Sequence, residues 1–251
     1  MILQSGLALI GLPVAYGMGE ESRLGIALLK HGEGYDQRPG GVEQLMWEAS
    51  KRTSMRVRER PRIIEATDPD LFRWPLLVWI GTGPCEAFSD EAIIRLRRYL
   101  RGGGSLFISD ASTVGDEGFH RSVEREMVRI WPDRDWVRFG NDHTIYRSFY
   151  LLRKPLGRLS RQSWLEGIAF DDRSPVFYDR NDLFGAFGRD TIGGWRMPVI
   201  PGGRQQREQA FRLGVNLLMY ATCLNYKRDQ VHVTAILRRR RWRVDARQRS
   251  R

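Results

Sequence analysis

Apolar runs alternate with amphipathic stretches along this chain, and glycine or polar residues punctuate the joins. Leu24–Leu29 (LGIALL) is a short continuous apolar run, which predicts a strand buried on both faces. The polar loop HGEGYDQRPGG follows. Val42–Arg52 then repeats Val42, Leu45, Met46 and Ala49 at helical spacing. Arg62–Ala66 and Leu76–Ile80 (LLVWI) predict two more strands, the second ending in Gly81-Thr82-Gly83-Pro84. Ser89 stands where a helix N-cap belongs, with Asp90 and Glu91 placed to favour the helix dipole. The glycine run 102–104 stops that helix, and Ser105–Ser109 (SLFIS) predicts a strand with Asp110 at its carboxyl end. Strand, capped helix, glycine stop and strand is the signature of parallel βαβ winding.

The second half is less regular. Gly118–Ile130 predicts an amphipathic helix, and His143–Leu152, Trp164–Phe170 and Pro175–Tyr178 predict strands or edge segments. Gln205–Asn225 is the longest helical pattern, and Val231–Leu237 alternates enough to be a last strand. No repeat and no linker interrupts the series. The expected architecture is one α/β domain over residues 23–237, a mostly parallel sheet flanked by helices with a C-terminal elaboration.

Composition adds an asymmetry. The 251 residues carry a formal charge of +11, but eight arginines and Asp245 put +7 into residues 238–251. The remaining +4 is ordinary for a soluble domain, so no basic face for reading DNA is built into the fold. The Arg238–Arg251 tail suits a solvated terminus, contact with anionic lipid, or sequence-blind contact with nucleic acid. Trp242 within it favours lipid slightly, as an interfacial anchor. Arginine outnumbers lysine 37 to 4, so part of this enrichment reflects base composition.

Residues 1–22 form a separate segment. Residues 2–19 hold no charge, Leu7–Ala15 makes an apolar core, and Ala15-Tyr16-Gly17 offers small residues at cleavage-site spacing. The stretch is too short and too glycine-rich for a membrane span. It lacks a basic leader but is similar to the later part of a twin-arginine export signal. A periplasmic or membrane-associated location is expected on this reading, and a cytoplasmic one if residues 1–22 belong to the fold.

Several pieces taken in order resemble a bacterial family, domain-of-unknown-function family 4159. They are RLGIALLKHGEGYDQRPGGVEQLMWEASKRTS, LLVWIGTG, YLRGGGSLFISD, DHTIYRSFYLL, GIAFDDRSPVFYDRNDL and LGVNLLMYA, over roughly residues 23–226. The resemblance implies a flavodoxin-like α/β fold related to class I glutamine-amidotransferase domains. It also implies gene neighbourhoods shared with MoxR-type ATPases and von Willebrand-type proteins of the cell envelope. It implies no established reaction.

Glutamine-hydrolysing domains of that kind place a cysteine on a tight strand-to-helix elbow. Here the elbow after SLFIS reads Asp110-Ala111-Ser112, while Cys85 sits in a loop and Cys223 in a helical run. Amidotransferase chemistry is therefore not expected. The leading expectation is a non-catalytic binding or interaction module of the envelope, engaging an unidentified protein or small ligand through Asp36, Arg38, Thr82 and Gly83. The rival is a hydrolase built from Asp110, Ser112, His143 and Asp182 as an acid/base cluster. Each of these residues also has a structural reading: Asp110 and Asp182 as caps or turn residues, His143 as a loop histidine bonded to backbone. No cofactor and no metal site is expected: the four histidines and two cysteines show no ligand spacing, and neither a dinucleotide fingerprint nor a phosphate-binding P-loop occurs.

Overall fold

In the computed structural model, residues 23–222 are described. The segment 1–22, Cys223, the strand expected over Val231–Leu237 and the Arg238–Arg251 tail lie outside them. Seven strands form one sheet: β1 (Ile26–Leu29), β2 (Arg62–Ile64), β3 (Leu76–Gly81), β4 (Ser105–Asp110), β5 (Val137–Phe139), β6 (Leu165–Phe170) and β7 (Arg173–Asp179). Four helices accompany them, α1 (Gly41–Arg52), α2 (Asp90–Arg101), α3 (Gly118–Ile130) and α4 (Gly203–Thr222). The strand order is β2-β1-β3-β4-β7-β6-β5. The first five run parallel, and β6 and β5 are added antiparallel at the far edge. This is a flavodoxin-like α/β sheet, as the family resemblance implies, and its mostly parallel winding is the one the apolar runs predict.

Those runs are continuous because both faces of the strands are covered. Ile26, Leu28, Leu76, Val78, Ile80, Phe107 and Phe177 join α1 and α4 in one core. The alternate residues Ala27, Leu29, Leu77, Trp79, Leu106, Ile108 and Tyr178 join α2 and α3 in the other. Helix α2 begins where expected, with Ser89 Oγ accepting the Ala92 N–H at 3.2 Å. Gly103, at φ 113°, supplies the left-handed residue that turns the chain into β4.

The segment His143–Leu152 is not a strand. It holds a short 3₁₀ helix, Thr144–Tyr146, and its backbone is served by one side chain of α4. Asn216 Oδ1 accepts from Phe149 N (3.1 Å) and Tyr150 N (2.7 Å), while its Nδ2 donates to the carbonyls of Ile145 and Tyr150. A buried amide thus takes the bonds that a neighbouring strand would have supplied. The edge strand β5 carries only three residues, too few for its alternation to register in the sequence.

Candidate functional site

Strand β1 pairs with β2 on one side and β3 on the other, so the winding reverses between β1 and β3. The carboxyl ends of parallel strands beside such a reversal are where open α/β sheets take ligands. The loops reaching this edge are residues 30–40 after β1, 82–89 after β3, 111–117 after β4 and 180–186 after β7.

Arg38 and Asp182 meet here. The guanidinium donates to both carboxylate oxygens, Nε to Oδ1 at 2.8 Å and Nη2 to Oδ2 at 2.9 Å. Arg38 also donates to the Ala111 carbonyl at 2.7 Å and the Gln37 carbonyl at 2.7 Å. Arg158 donates from Nε to the same Asp182 Oδ2. The Asp182 side chain is fully buried, and its backbone adopts φ 55° while Oδ1 accepts the Gly185 N–H. Arg38 therefore ties three loops together, and only 10% of its side chain remains exposed. Nearly every donor it has is spent on these contacts. The residues left open beside it are Asp36, which is exposed, Thr82, which donates to Gln37 Oε1 at 3.1 Å, and Gly83, which has open space around its Cα.

Asp110 is fully buried at the end of β4. Its Oδ1 accepts the Ser112 N–H at 2.9 Å, its Oδ2 accepts the Tyr178 hydroxyl at 3.2 Å, and Arg180 Nε lies 3.7 Å from Oδ2. Arg180 in turn pairs with Glu117. Burial, followed by the neighbouring Asp110 charge, pushes the Tyr178 phenol well above its ordinary range.

His143 is elsewhere. Its Nδ1 accepts the Ile145 N–H at 3.2 Å, and its Nε2 lies 3.1 Å from Ser174 Oγ. The ring stacks on Phe139 at 4.3 Å, and burial pushes its pKa down to about 4. Ser174 is the second residue of β7 and Tyr178 the last but one, which separates their backbones by about 13 Å at the usual rise of a strand. Asp110 and His143 thus stand at opposite ends of β7, and the acid/base cluster expected of them is not assembled.

Cys85, in the loop after β3, is a half-buried free thiol. Burial is the largest influence on its thiol, with Arg125 opposing, and the pKa is pushed up to about 11. Among the described residues, no three His, Cys, Asp or Glu side chains gather as metal ligands.

Three polar atoms at this edge are buried without a partner: Ser112 Oγ, Arg161 Nε and Gln162 Oε1. Arg161 and Ser112 are in contact, since Arg161 Nη2 donates to the Ser112 carbonyl, and Gln162 follows Arg161 in the chain. Asn181 holds the backbone of Arg161 and Gln162. Its Oδ1 accepts from Arg161 N (2.7 Å) and Gln162 N (2.9 Å), and its Nδ2 donates to the Gln162 carbonyl at 2.9 Å. Asp179, also fully buried, accepts the N–H groups of Asn181 (3.1 Å) and Leu183 (2.8 Å), and burial pushes its pKa up to about 7.

A family model for a domain of unknown function, DUF4159, matches residues 25–222. The chain belongs to the DUF4159 family. The match runs from the start of β1 to the end of α4, so the sheet, both cores and the whole carboxyl edge lie inside the DUF4159 domain. No curated protein matches the chain.

Sequence reasoning singled out Asp110, Ser112 and Asp182 at this edge of the DUF4159 domain, but missed Arg158, Arg161, Tyr178, Asp179, Arg180 and Asn181. One signal was available: Asp179-Arg180-Asn181-Asp182 puts four polar residues directly after an apolar strand. Nothing local marks Arg158 and Arg161, which reach the site from an irregular loop.

Proposed function

We propose that this DUF4159 domain is a binding module of the bacterial envelope on an amidotransferase-like scaffold, taking a polar ligand or a partner's side chain at the carboxyl edge of its sheet. The observation that carries this reading is the orphan trio of Ser112 Oγ, Arg161 Nε and Gln162 Oε1. Buried polar groups in folded proteins are almost always bonded, and each one left unpaired costs about 1–3 kcal/mol. Unsatisfied donors on Ser112 and Arg161, which are in contact, and an acceptor on the next residue call for a small group that both accepts and donates. Asp36, Thr82 and Gly83 lie on the loops after β1 and β3, at the strand ends where open α/β sheets take ligands.

Catalysis of the amidotransferase type has less support. The elbow holds a buried, bonded Asp110 where a nucleophile would stand, and Cys85 keeps its proton at neutral pH. The envelope placement rests on the uncharged, export-like residues 2–19 and on the neighbourhoods the family resemblance implies.

The test is a photo-crosslinking residue at Thr113, beside Ser112, with the same residue at exposed Arg98 as control, followed by fractionation of the host cells. Adducts specific to position 113, found in periplasm or membrane, are expected. Glutamine or ester hydrolysis by the pure chain, abolished by Asp110→Asn, would overturn the reading, as would a purely cytoplasmic protein.

A further inference from the structure

The opposite, amino-terminal edge of the sheet carries a second feature. A cleft of about 830 Å³ opens there, lined by Arg23, Arg58, Arg62, Arg73, Asp70 and Trp74. That volume lies within the ordinary range for small-molecule sites. The acid among them is engaged: Asp70 Oδ1 lies 3.5 Å from Arg73 Nη1. Arg58 and Arg62 have no carboxylate partner among the described residues. Arg58 lies over the Trp74 ring, 5.2 Å from its centroid, which fixes the guanidinium against a rigid wall. The wall depends on Gly25, where any Cβ would come within 2.2 Å of the indole. Trp74 Nε1 is buried and has no hydrogen-bond partner.

Guanidinium groups lining one cleft repel one another, and Trp74, whose indole N–H lacks a partner, stands in the wall of the same cleft. An anion with several acceptor oxygens relieves both at once. Guanidinium forks match the tetrahedral oxygens of a phosphoryl group, and the charge of the cleft suits phosphate better than a lone carboxylate. We propose that this cleft binds the phosphoryl group of an anionic ligand, held by Arg58 and Arg62 with the Trp74 N–H as a third donor.

The source of that phosphoryl group is a lipid headgroup or a soluble phosphate ester. Anionic lipid would attract such a cluster of arginines, at about 1 kcal/mol per basic residue near the surface. A concave site of this size suits a headgroup better than a nucleic-acid groove, which requires a broad basic face.

The test uses the full chain in two arms. One measures co-sedimentation with vesicles of phosphatidylglycerol in phosphatidylcholine against phosphatidylcholine alone; the other measures binding of glycerol 1-phosphate by calorimetry. Arg58→Gln/Arg62→Gln is expected to weaken binding at least about ten-fold, given the contribution of each basic residue. Trp74→Phe keeps the ring but removes the N–H, and is expected to weaken it several-fold. Arg98→Gln/Arg121→Gln, an equal loss of charge on α2 and α3, should leave binding unchanged. Dependence on Arg58 and Arg62 in the vesicle arm identifies a headgroup, and in the calorimetric arm alone a soluble ester. Equal losses in the two double variants, or binding in neither arm, would overturn the proposal.

Discussion

Arg38 and Asp182 lie 144 residues apart in the chain and form a two-pronged ion pair at the carboxyl edge of the sheet, with Nε–Oδ1 at 2.8 Å and Nη2–Oδ2 at 2.9 Å. The pair joins the loop after β1 to the loop after β7, and Arg158 closes the other side of the carboxylate. Breaking a buried pair leaves an uncompensated charge, which is costlier than the pair itself is favourable. Arg38→Ala is therefore expected to lower stability by about 2–4 kcal/mol in urea denaturation. Arg38→Lys should recover less than half of that, because an ammonium cannot span both oxygens. A loss below about 0.5 kcal/mol, the level of a surface pair, would show that the contact is not formed in solution.

Gly157 supports the same site from behind. A Cβ at this position would lie 2.2 Å from the Asn181 carbonyl oxygen, a backbone atom with no freedom to swing away. Gly157→Ala should destabilise the domain by about 1–3 kcal/mol, as overpacking generally does. It should also displace Arg158 from Asp182. Thermal melts report the first effect, and Arg158→Ala in the Gly157→Ala background reports the second by adding little further loss. Full additivity of the two losses would separate Gly157 from the clasp.

Two buried groups pull stability in opposite directions over one pH window. His143 has its folded pKa pushed down to about 4, so the unfolded chain binds the extra proton and stability falls as pH drops from about 6.5 toward 4. Asp179 has its folded pKa pushed up to about 7, so the folded chain binds the extra proton and stability falls as pH rises from about 4 toward 7. Their contributions largely cancel in the native chain. Relative to it, His143→Gln should lose stability more steeply as pH rises between 4 and 7. Asp179→Asn should show the reverse slope. Parallel melting curves for all three proteins across that range would refute both assignments.

Cys85 is expected to be a slow thiol. With its pKa pushed up to about 11, the thiolate is scarce at neutral pH. In a Cys223→Ser background, iodoacetamide should modify the folded protein at least about 100-fold more slowly than it modifies a free cysteine. Urea should restore the ordinary rate. Rapid labelling of the folded chain would return Cys85 to consideration as a nucleophile.

Legibility in the sequence followed the range of the forces involved. Strands β1, β3 and β4 and helix α2 are set by runs and caps of a few residues, so LGIALL, LLVWI, SLFIS and the Ser89 cap announce them directly. The elbow Asp110-Ala111-Ser112 was readable for the same reason, because a strand end is a local event. His143–Leu152 looked like a strand because its apolar residues are real, but Asn216 of α4, some 66 residues away, claims its backbone bonds instead.

The sequence by itself determined the alternation of elements, the two-faced burial of the central strands and the concentration of charge in residues 238–251. Tertiary structure alone decided which polar residues meet. It sent His143 and Asp110 to opposite ends of β7, spent Arg38 on Asp182, and brought Arg161 from an irregular loop to Ser112. The reason is physical: hydrophobic periodicity is a property of neighbours in the chain, whereas a buried charge finds its partner only after the sheet has set the distance between loops.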